Sequence, residues 1–219
     1  MVLRNNKTTG FRDGKLLMGF TIIEVVISVS VGILLLLVAV DLLISVSTSP
    51  KSQIISMGNI EQAKTAVSTF ANELRNAAIG NGGSYSITEA ENNEIIFYSN
   101  YRTEGNLVYR MRYYLSGDTL YRGVTIPTGS PLSYDLGSEV VKPVVTVVSN
   151  GSDPAFYYYD GSYNGSSTYS PLYPPININM IRFVKISMVI KNQITNQDNS
   201  TFPISAGVAV RNLKDNLGN

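Results

Sequence analysis

The hydrophobic pattern changes twice along the chain, and each part predicts a different kind of element. Sixteen uncharged, mostly apolar residues run from Val25 to Val40, which is typical of a helix covered by lipid or by other helices. From Met57 to Ala78, apolar residues recur every three or four positions, as on one face of an amphipathic helix. Beyond Glu94 the period falls to two, which predicts half-buried strands.

The first two parts predict one nearly continuous helix over residues 20–79. At about 1.5 Å per residue, such a helix would be about 90 Å long. Pro50 predicts a kink or break, because proline lacks the backbone N–H and clashes with the preceding turn. The glycines at 80–83 predict the end of the helix. Polar residues of the second half are expected on its other faces: Glu61, Lys64, Asn72, Glu73 and Arg75.

The third part predicts an antiparallel sheet. Residues 107–124 form two alternating runs around Ser116-Gly117-Asp118, as in a β-hairpin. No alternation of strands with helices appears, so the expected class is α+β, with one long N-terminal helix packed on an antiparallel β-sheet domain. Further strands are predicted at 95–99, 144–149, 156–159, 181–190 and 204–210.

A basic segment precedes the apolar run. Arg4, Lys7, Arg12 and Lys15 stand against Asp13, which is a net charge of +3. Basic segments beside a membrane span stay in the cytoplasm, so the residues after about 46 are expected on the outer side. Gly19 lies before the apolar run, and no Ala-x-Ala follows that run. Cleavage at Gly19 would therefore retain the apolar helix, unlike cleavage of an ordinary secretory signal.

Glu24 is the acid at the start of this helix. A carboxylate at the bilayer centre costs about 2.5–3.5 kcal/mol on insertion scales, so the default interpretation is functional. Cleavage after Gly19 would create an ammonium on Phe20, and the Glu24 carboxylate of one subunit could pair with the Phe20 ammonium of the next. The two residues are also i and i+4 on one helix, so the pair could form within a subunit. In a third interpretation the chain is an uncleaved anchor whose Glu24 extends to the membrane interface.

The sequence Gly19-Phe20-Thr21-Ile22-Ile23-Glu24 with its basic leader and apolar continuation resembles the type IV prepilin signature. The resemblance implies cleavage after Gly19 by prepilin peptidase, N-methylation of Phe20 and a pilin-like fold. It implies a single-pass inner-membrane protein that assembles with other pilin or pseudopilin subunits through an inner-membrane platform, with the lipid bilayer as its environment before assembly. Mature length and a cysteine-free, sheet-rich domain are similar to J-type minor pseudopilins and W-type minor pilins.

The expected organisation has four parts. Residues 1–19 are the leader, 20–46 the membrane and assembly half of the helix, 47–79 its amphipathic half, and 80–219 the extracytoplasmic domain. Residues 150–180, rich in Gly, Ser, Asn, Pro and Tyr, are expected to be a surface loop. In an alternative function, this loop of a filament-displayed adhesin or DNA-uptake pilin binds the ligand. Asp153 and Asp160 lack the dense oxygen spacing of a calcium loop.

The composition argues against an enzyme. The chain has no His and no Cys, which excludes a Ser-His-Asp triad, a thiol nucleophile and the usual zinc ligands. Glu89 and Glu91 are expected in a solvated turn rather than as a glycosidase pair. No phosphate-binding glycine motif occurs. The chain without its leader would carry a net charge of −2, since the whole chain carries +1 and the leader +3, so no nucleic-acid partner is expected. Because the usual ligands and motifs are missing, no cofactor or metal is expected either.

Overall fold

The structure, a computed structural model, describes residues 19–166, 168–191 and 201–210, and only the backbone of 45–56 and 106. Most of the predicted leader, residues 1–18, therefore lies outside the described residues. The chain divides into two compact units, Met1–Ser49 and Pro50–Asn219.

The helix α1 extends from Ile22 to Arg75, two residues later and four residues earlier than the predicted bounds. Helical structure continues through Pro50, so the break that was one of the two predicted outcomes is wrong, and the kink stays a prediction. The two units divide at this residue. The helix ends before the glycines because Ala77 already pairs with Ser99 in a β-bridge. The Ser99 hydroxyl also donates to the carbonyl of Glu73 at 2.7 Å, which satisfies a carbonyl that the helix end leaves open.

Two antiparallel sheets follow the helix, where the sequence predicted a single sheet. The first has five strands in the order of the chain, and the second has three. Short 3-10 turns occur at Glu104–Asn106, Leu136–Ser138 and Ile178–Met180. The strands are β1 (Ile87–Ala90), β2 (Glu94–Ser99), β3 (Tyr109–Ser116), β4 (Thr119–Thr125), β5 (Val140–Val145), β6 (Phe156–Tyr159), β7 (Phe183–Lys191) and β8 (Thr201–Ala209).

Most predicted strands are confirmed with small shifts. The hairpin β3–β4 turns at the predicted residues, and β6 has the predicted bounds. The prediction for 144–149 is wrong in position, because β5 ends at Val145 and Val148 instead forms a bridge with Ile190 of β7. Strand β1 was not predicted, and it places Glu89 on a strand rather than in a turn.

The second half of α1 and both sheets share one hydrophobic core. Phe70 lies at its centre, with ring centroids 5.1 Å from Tyr113 of the first sheet and 5.6 Å from Phe156 of the second. The predicted apolar stripe of α1 is confirmed in this core, although Met57 at its start is 70 % exposed. The buried members of the stripe are Ala63, Val67, Phe70 and Leu74. This packing supports the α+β class.

The outer strands of the two sheets have different surroundings. Strands β1 and β2 lie beside β6, since the Tyr158 hydroxyl donates to the carbonyls of Glu91 and Glu94. Strand β5 is exposed over most of its length and contains Pro143. Strand β8 is the other edge of the smaller sheet and contains Pro203.

Candidate functional site

The predicted site residues lie at the start of the exposed helix. Gly19 and Phe20 precede α1, and the Phe20 side chain is 80 % exposed. The Thr21 hydroxyl accepts a hydrogen bond from the backbone N–H of Glu24 at 3.3 Å. Thr21 is therefore the N-cap of α1, and Glu24 is the third helical residue, where a carboxylate is favoured by the helix dipole.

Thr21 and Glu24 have the spacing of a capping box, in which a Thr is followed three residues later by a Glu. Sequence reasoning missed this local role of Glu24, although the spacing was visible. The hydrogen bond to Thr21 uses the backbone N–H of Glu24, and the Glu24 side chain adds a negative charge in the first turn, where the helix dipole favours it. The pairing of Glu24 with an amine on Phe20 stays a prediction.

The 23 residues Ile22–Ile44 are long and apolar enough to cross a membrane, and none of this stretch is buried. The hydroxyls of Ser28 and Ser30 donate to the carbonyls four residues earlier, at 2.7 and 2.8 Å. These bonds satisfy the two serine hydroxyls within the helix. The stretch also contains two charged side chains, Glu24 and Asp41. An apolar surface exposed on every side needs a cover of lipid or of other helices.

A second constellation lies inside the folded unit. Glu73 is 2 % exposed, and its carboxylate accepts hydrogen bonds from the Tyr113 hydroxyl at 2.6 Å and from Arg122 Nε at 3.1 and 3.2 Å. Nη2 of Arg122 also donates to Glu73. Glu73 was predicted only to lie on a face other than the apolar stripe, and the structure shows that it is buried there, because strands β3 and β4 supply its partners.

The electrostatics of this cluster favour a charged pair. Burial, the charge of Glu73 and its hydrogen bond raise the pKa of Tyr113 well above its ordinary value, so the phenol keeps its proton and donates it. Burial opposes the charge on Arg122, but the hydrogen bond and charge of Glu73 outweigh it, and the pKa of Arg122 is raised. Charge-assisted hydrogen bonds of this kind are stronger than neutral ones.

A cavity of about 730 Å³ adjoins this cluster, between the polar flank of α1 and the inner face of β3, β4 and β5. A second cavity of about 410 Å³ continues along α1 to Gly58 and shares five lining residues with the first. Both volumes lie within the usual range of ligand pockets. The shared residues are Glu61, Thr65, Thr69, Arg122 and Val144.

The segment 150–180 is not a single loop. It contains β6, in which Phe156 and Tyr158 are 1 % exposed. After β6, short-range hydrogen bonds connect neighbouring residues. The Tyr169 hydroxyl and the Ser162 backbone N–H donate to Asp160 at 2.8 Å each. Both bonds lower the pKa of Asp160. The prediction that segment 150–180 binds a ligand stays a prediction. Because β6 is mostly buried, such binding would use the residues on either side of it.

The structure does not bring Asp153 and Asp160 into a metal site. Across 19–166, 168–191 and 201–210, no group of three or more His, Cys, Asp or Glu side chains is placed to hold a metal ion. Glu89 is half-buried on β1, and its pKa is raised by desolvation and by the nearby charges of Glu94 and Glu91.

Comparison with known proteins adds no assignment. No protein-family model matches the sequence, and no curated protein matches it significantly. A functional proposal for this chain therefore depends on its own residues and their geometry.

Proposed function

We propose that this chain is a structural subunit of a helical filament of the type IV pilin or pseudopilin class. In this proposal the leader is removed after Gly19, Phe20 becomes the methylated amino terminus, and α1 is inserted in the inner membrane with the β domain on the outer side. Subunits then leave the bilayer and pack through their apolar helices. The finer assignment as a minor subunit of the J or W type belongs to the same proposal.

The observation that carries the proposal is the uncovered segment Ile22–Ile44. Its large apolar side chains are 43–86 % exposed, from Val40 to Ile22. Burial of apolar surface is worth about 25 cal/mol per Å², so lipid or a bundle of like helices would strongly favour covering it. A single-span anchor needs the same apolar length, but it needs neither the Gly19-Phe20 junction nor an acid in the first turn.

Glu24 supports the filament interpretation through its position. In a helix bundle poor in water, its carboxylate would neutralise the ammonium that cleavage creates on a neighbouring Phe20. Loss of one partner of a buried ion pair costs about 3–5 kcal/mol, because the remaining charge is left without compensation. The pair would therefore select one stagger between neighbouring helices.

The decisive experiment separates this charge from helix capping. Glu24→Ala and Glu24→Val remove both functions, whereas Glu24→Gln removes the charge and keeps a side chain suited to the capping box. We expect all three variants to lose the leader normally and to enter filaments poorly, measured by immunoblotting of sheared filaments. Normal incorporation of Glu24→Gln would show that capping, not charge, is the requirement.

Processing has its own test. N-terminal sequencing and intact mass of the cellular protein should give a methylated Phe20, and Gly19→Leu should leave the leader attached. A working protein that still begins at Met1 would exclude the amine on which the proposal depends and would favour the uncleaved anchor.

A further inference from the structure

We propose that the cavity between α1 and strands β3–β5 binds an acidic peptide segment of a partner protein. This inference concerns the folded unit alone and does not depend on filament assembly. It rests on the shape of the cavity, on the charges that remain unpaired along its wall, and on the strained backbone of one arginine that lines it.

The two joined cavities form an elongated groove. They follow α1 from Gly58 to Glu73, which at about 1.5 Å per residue is about 22 Å. An extended peptide rises about 3.4 Å per residue, so about six residues fit this length. The groove therefore suits a short extended segment better than a compact small molecule.

The charge left in the groove is positive. Lys64, Arg102 and Arg122 line the larger cavity together with Glu61 and Glu73. Glu73 is neutralised within the wall by Arg122, which leaves the two cations Lys64 and Arg102 against one acid, Glu61. Neither Lys64 nor Arg102 belongs to an ion pair among the described residues.

Arg102 has an unusual backbone. Its φ of 51° is the one positive value at a non-glycine residue in the part of the chain that the structure describes. This left-handed conformation is unfavourable for an arginine and is typical of functional sites. The Arg102 guanidinium lies over the Tyr101 ring, 5.1 Å from the centroid. The free-energy cost of this backbone conformation is consistent with a binding role of the Arg102 charge at the groove wall.

The α1 wall, which also carries Lys64, offers hydrogen-bonding groups for a peptide backbone. Thr65, Ser68, Thr69 and Asn72 of α1 all line the larger cavity. Hydroxyl and amide groups both donate and accept, so they can serve the N–H and C=O groups of an extended chain. Carboxylates of the same segment would then face Lys64 and Arg102.

The test uses the full-length protein in a neutral detergent and two fluorescein-labelled hexapeptides, one of glutamate and one of glutamine. Fluorescence anisotropy should show tighter binding of the glutamate peptide by about tenfold, within the limit of about thirtyfold that two exposed ion pairs can supply. The difference should shrink at about 1 M salt, where the screening length falls to about 3 Å.

Arg102→Gly is the informative variant, because glycine accepts the positive φ without strain. It should weaken glutamate-peptide binding about fivefold without lowering the melting temperature, and Lys64→Ala should weaken it similarly. Lys142→Ala removes another exposed cation, on β5, that does not line the groove, so this variant should bind the peptide as the unmodified protein does.

Three results would overturn the proposal. One is equal binding of the two peptides, and another is an Arg102→Gly affinity equal to that of Lys142→Ala. The third is binding of glucuronate at this groove without binding of the glutamate peptide, which would assign the groove to acidic sugars instead.

Discussion

The pair of Glu73 and Arg122 fixes the register between α1 and the five-stranded sheet. Glu73 has almost no solvent exposure, whereas the Arg122 side chain is 27 % exposed. The buried Glu73 carboxylate accepts hydrogen bonds from Arg122 and Tyr113 in place of those that water would give it. A shift of α1 by one residue would separate these groups.

Removal of Arg122 should be costly. Arg122→Met leaves Glu73 buried and without its cation, so we expect a loss of about 3 kcal/mol in the free energy of unfolding, measured by urea denaturation. The double variant Glu73→Leu with Arg122→Met should recover much of this loss, because an apolar pair leaves no buried charge. A single variant as stable as the unmodified protein would show that the pair contributes nothing.

Glu89 should lower the free energy of unfolding as pH rises, whereas an acid in an ion pair raises it. Desolvation and the charges of Glu94 and Glu91 raise its pKa in the folded state, despite Arg110 and Arg112. A raised pKa means that the folded state binds the proton more tightly, so this group's contribution falls as pH rises through its unfolded and then its folded pKa. Glu89→Gln should therefore raise the melting temperature at about pH 7 and not at about pH 3.5.

The control for this prediction is Glu104→Gln, a change at an exposed acid. It should not reproduce the gain at neutral pH. A gain for Glu89→Gln that is equal at both pH values would mean that packing, and not charge, is responsible.

The sequence did not reveal the burial of Glu73, for a physical reason. Glu73 lies between Phe70 and Leu74 at the border of the apolar stripe, where periodicity does not decide between core and solvent. Its partners Tyr113 and Arg122 are 40 and 49 residues away, and no local pattern shows such a pairing. Thr21 and Glu24 differ in this respect, because their capping spacing is entirely local.

At the scale of the elements, alternation was a sound guide to strands with one buried face. In β3, Met111 and Tyr113 are buried while Arg110 and Arg112 lie on the outer face, so the period of two was easy to recognise. Strand β1 has four residues, Ile-Thr-Glu-Ala, too few for a period. It is a strand because Ile87 and Ala90 pair with β2, which is a tertiary effect.

One glycine has a packing role that the structure makes specific. Gly207 of β8 lies under the Phe183 ring of the neighbouring strand, and an added Cβ would overlap that ring. Gly207→Ala should therefore cost about 1–3 kcal/mol, because Phe183 must move from its contacts with Tyr159 and Tyr163. Thermal unfolding followed by circular dichroism measures this loss.

Gly82→Ala is the matched control, since nothing lies within 4 Å of its added Cβ. Its effect should stay within about 0.5 kcal/mol. If the two variants were equally stable, the aromatic cluster would be able to repack without cost.

At the scale of the whole molecule, the class α+β followed from the sequence, but the number of sheets did not. Periodicity shows which face of a strand is buried and is silent about its partners. Val148 leaves the first sheet to pair with Ile190, so one stretch of chain serves both sheets. Such a division depends on pairings across more than 40 residues.

The two units should behave differently in water. Among the residues whose side chains the structure describes, the buried core extends from Ala63 to Val210 and belongs to the second unit. A chain lacking residues 1–49 should therefore remain in the supernatant without detergent and unfold cooperatively, as shown by sedimentation and circular dichroism. The full chain should sediment with membranes.

Phe70→Ala in the full chain provides the control. It should weaken the fold by about 3–5 kcal/mol and leave the chain in the membrane fraction, since Ile22–Ile44 is unchanged. Aggregation of the shortened chain would contradict the independence of the second unit.

The prolines on the edge strands β5 and β8 affect aggregation at high protein concentration. Proline has no N–H that could donate to an incoming strand. The edge strands β5 and β8 each contain one, Pro143 and Pro203, so each edge offers one hydrogen-bond donor fewer. Lys142 adds a charge beside the first of them. Both features disfavour pairing between the edge strands of neighbouring copies, which is a route to aggregation and amyloid.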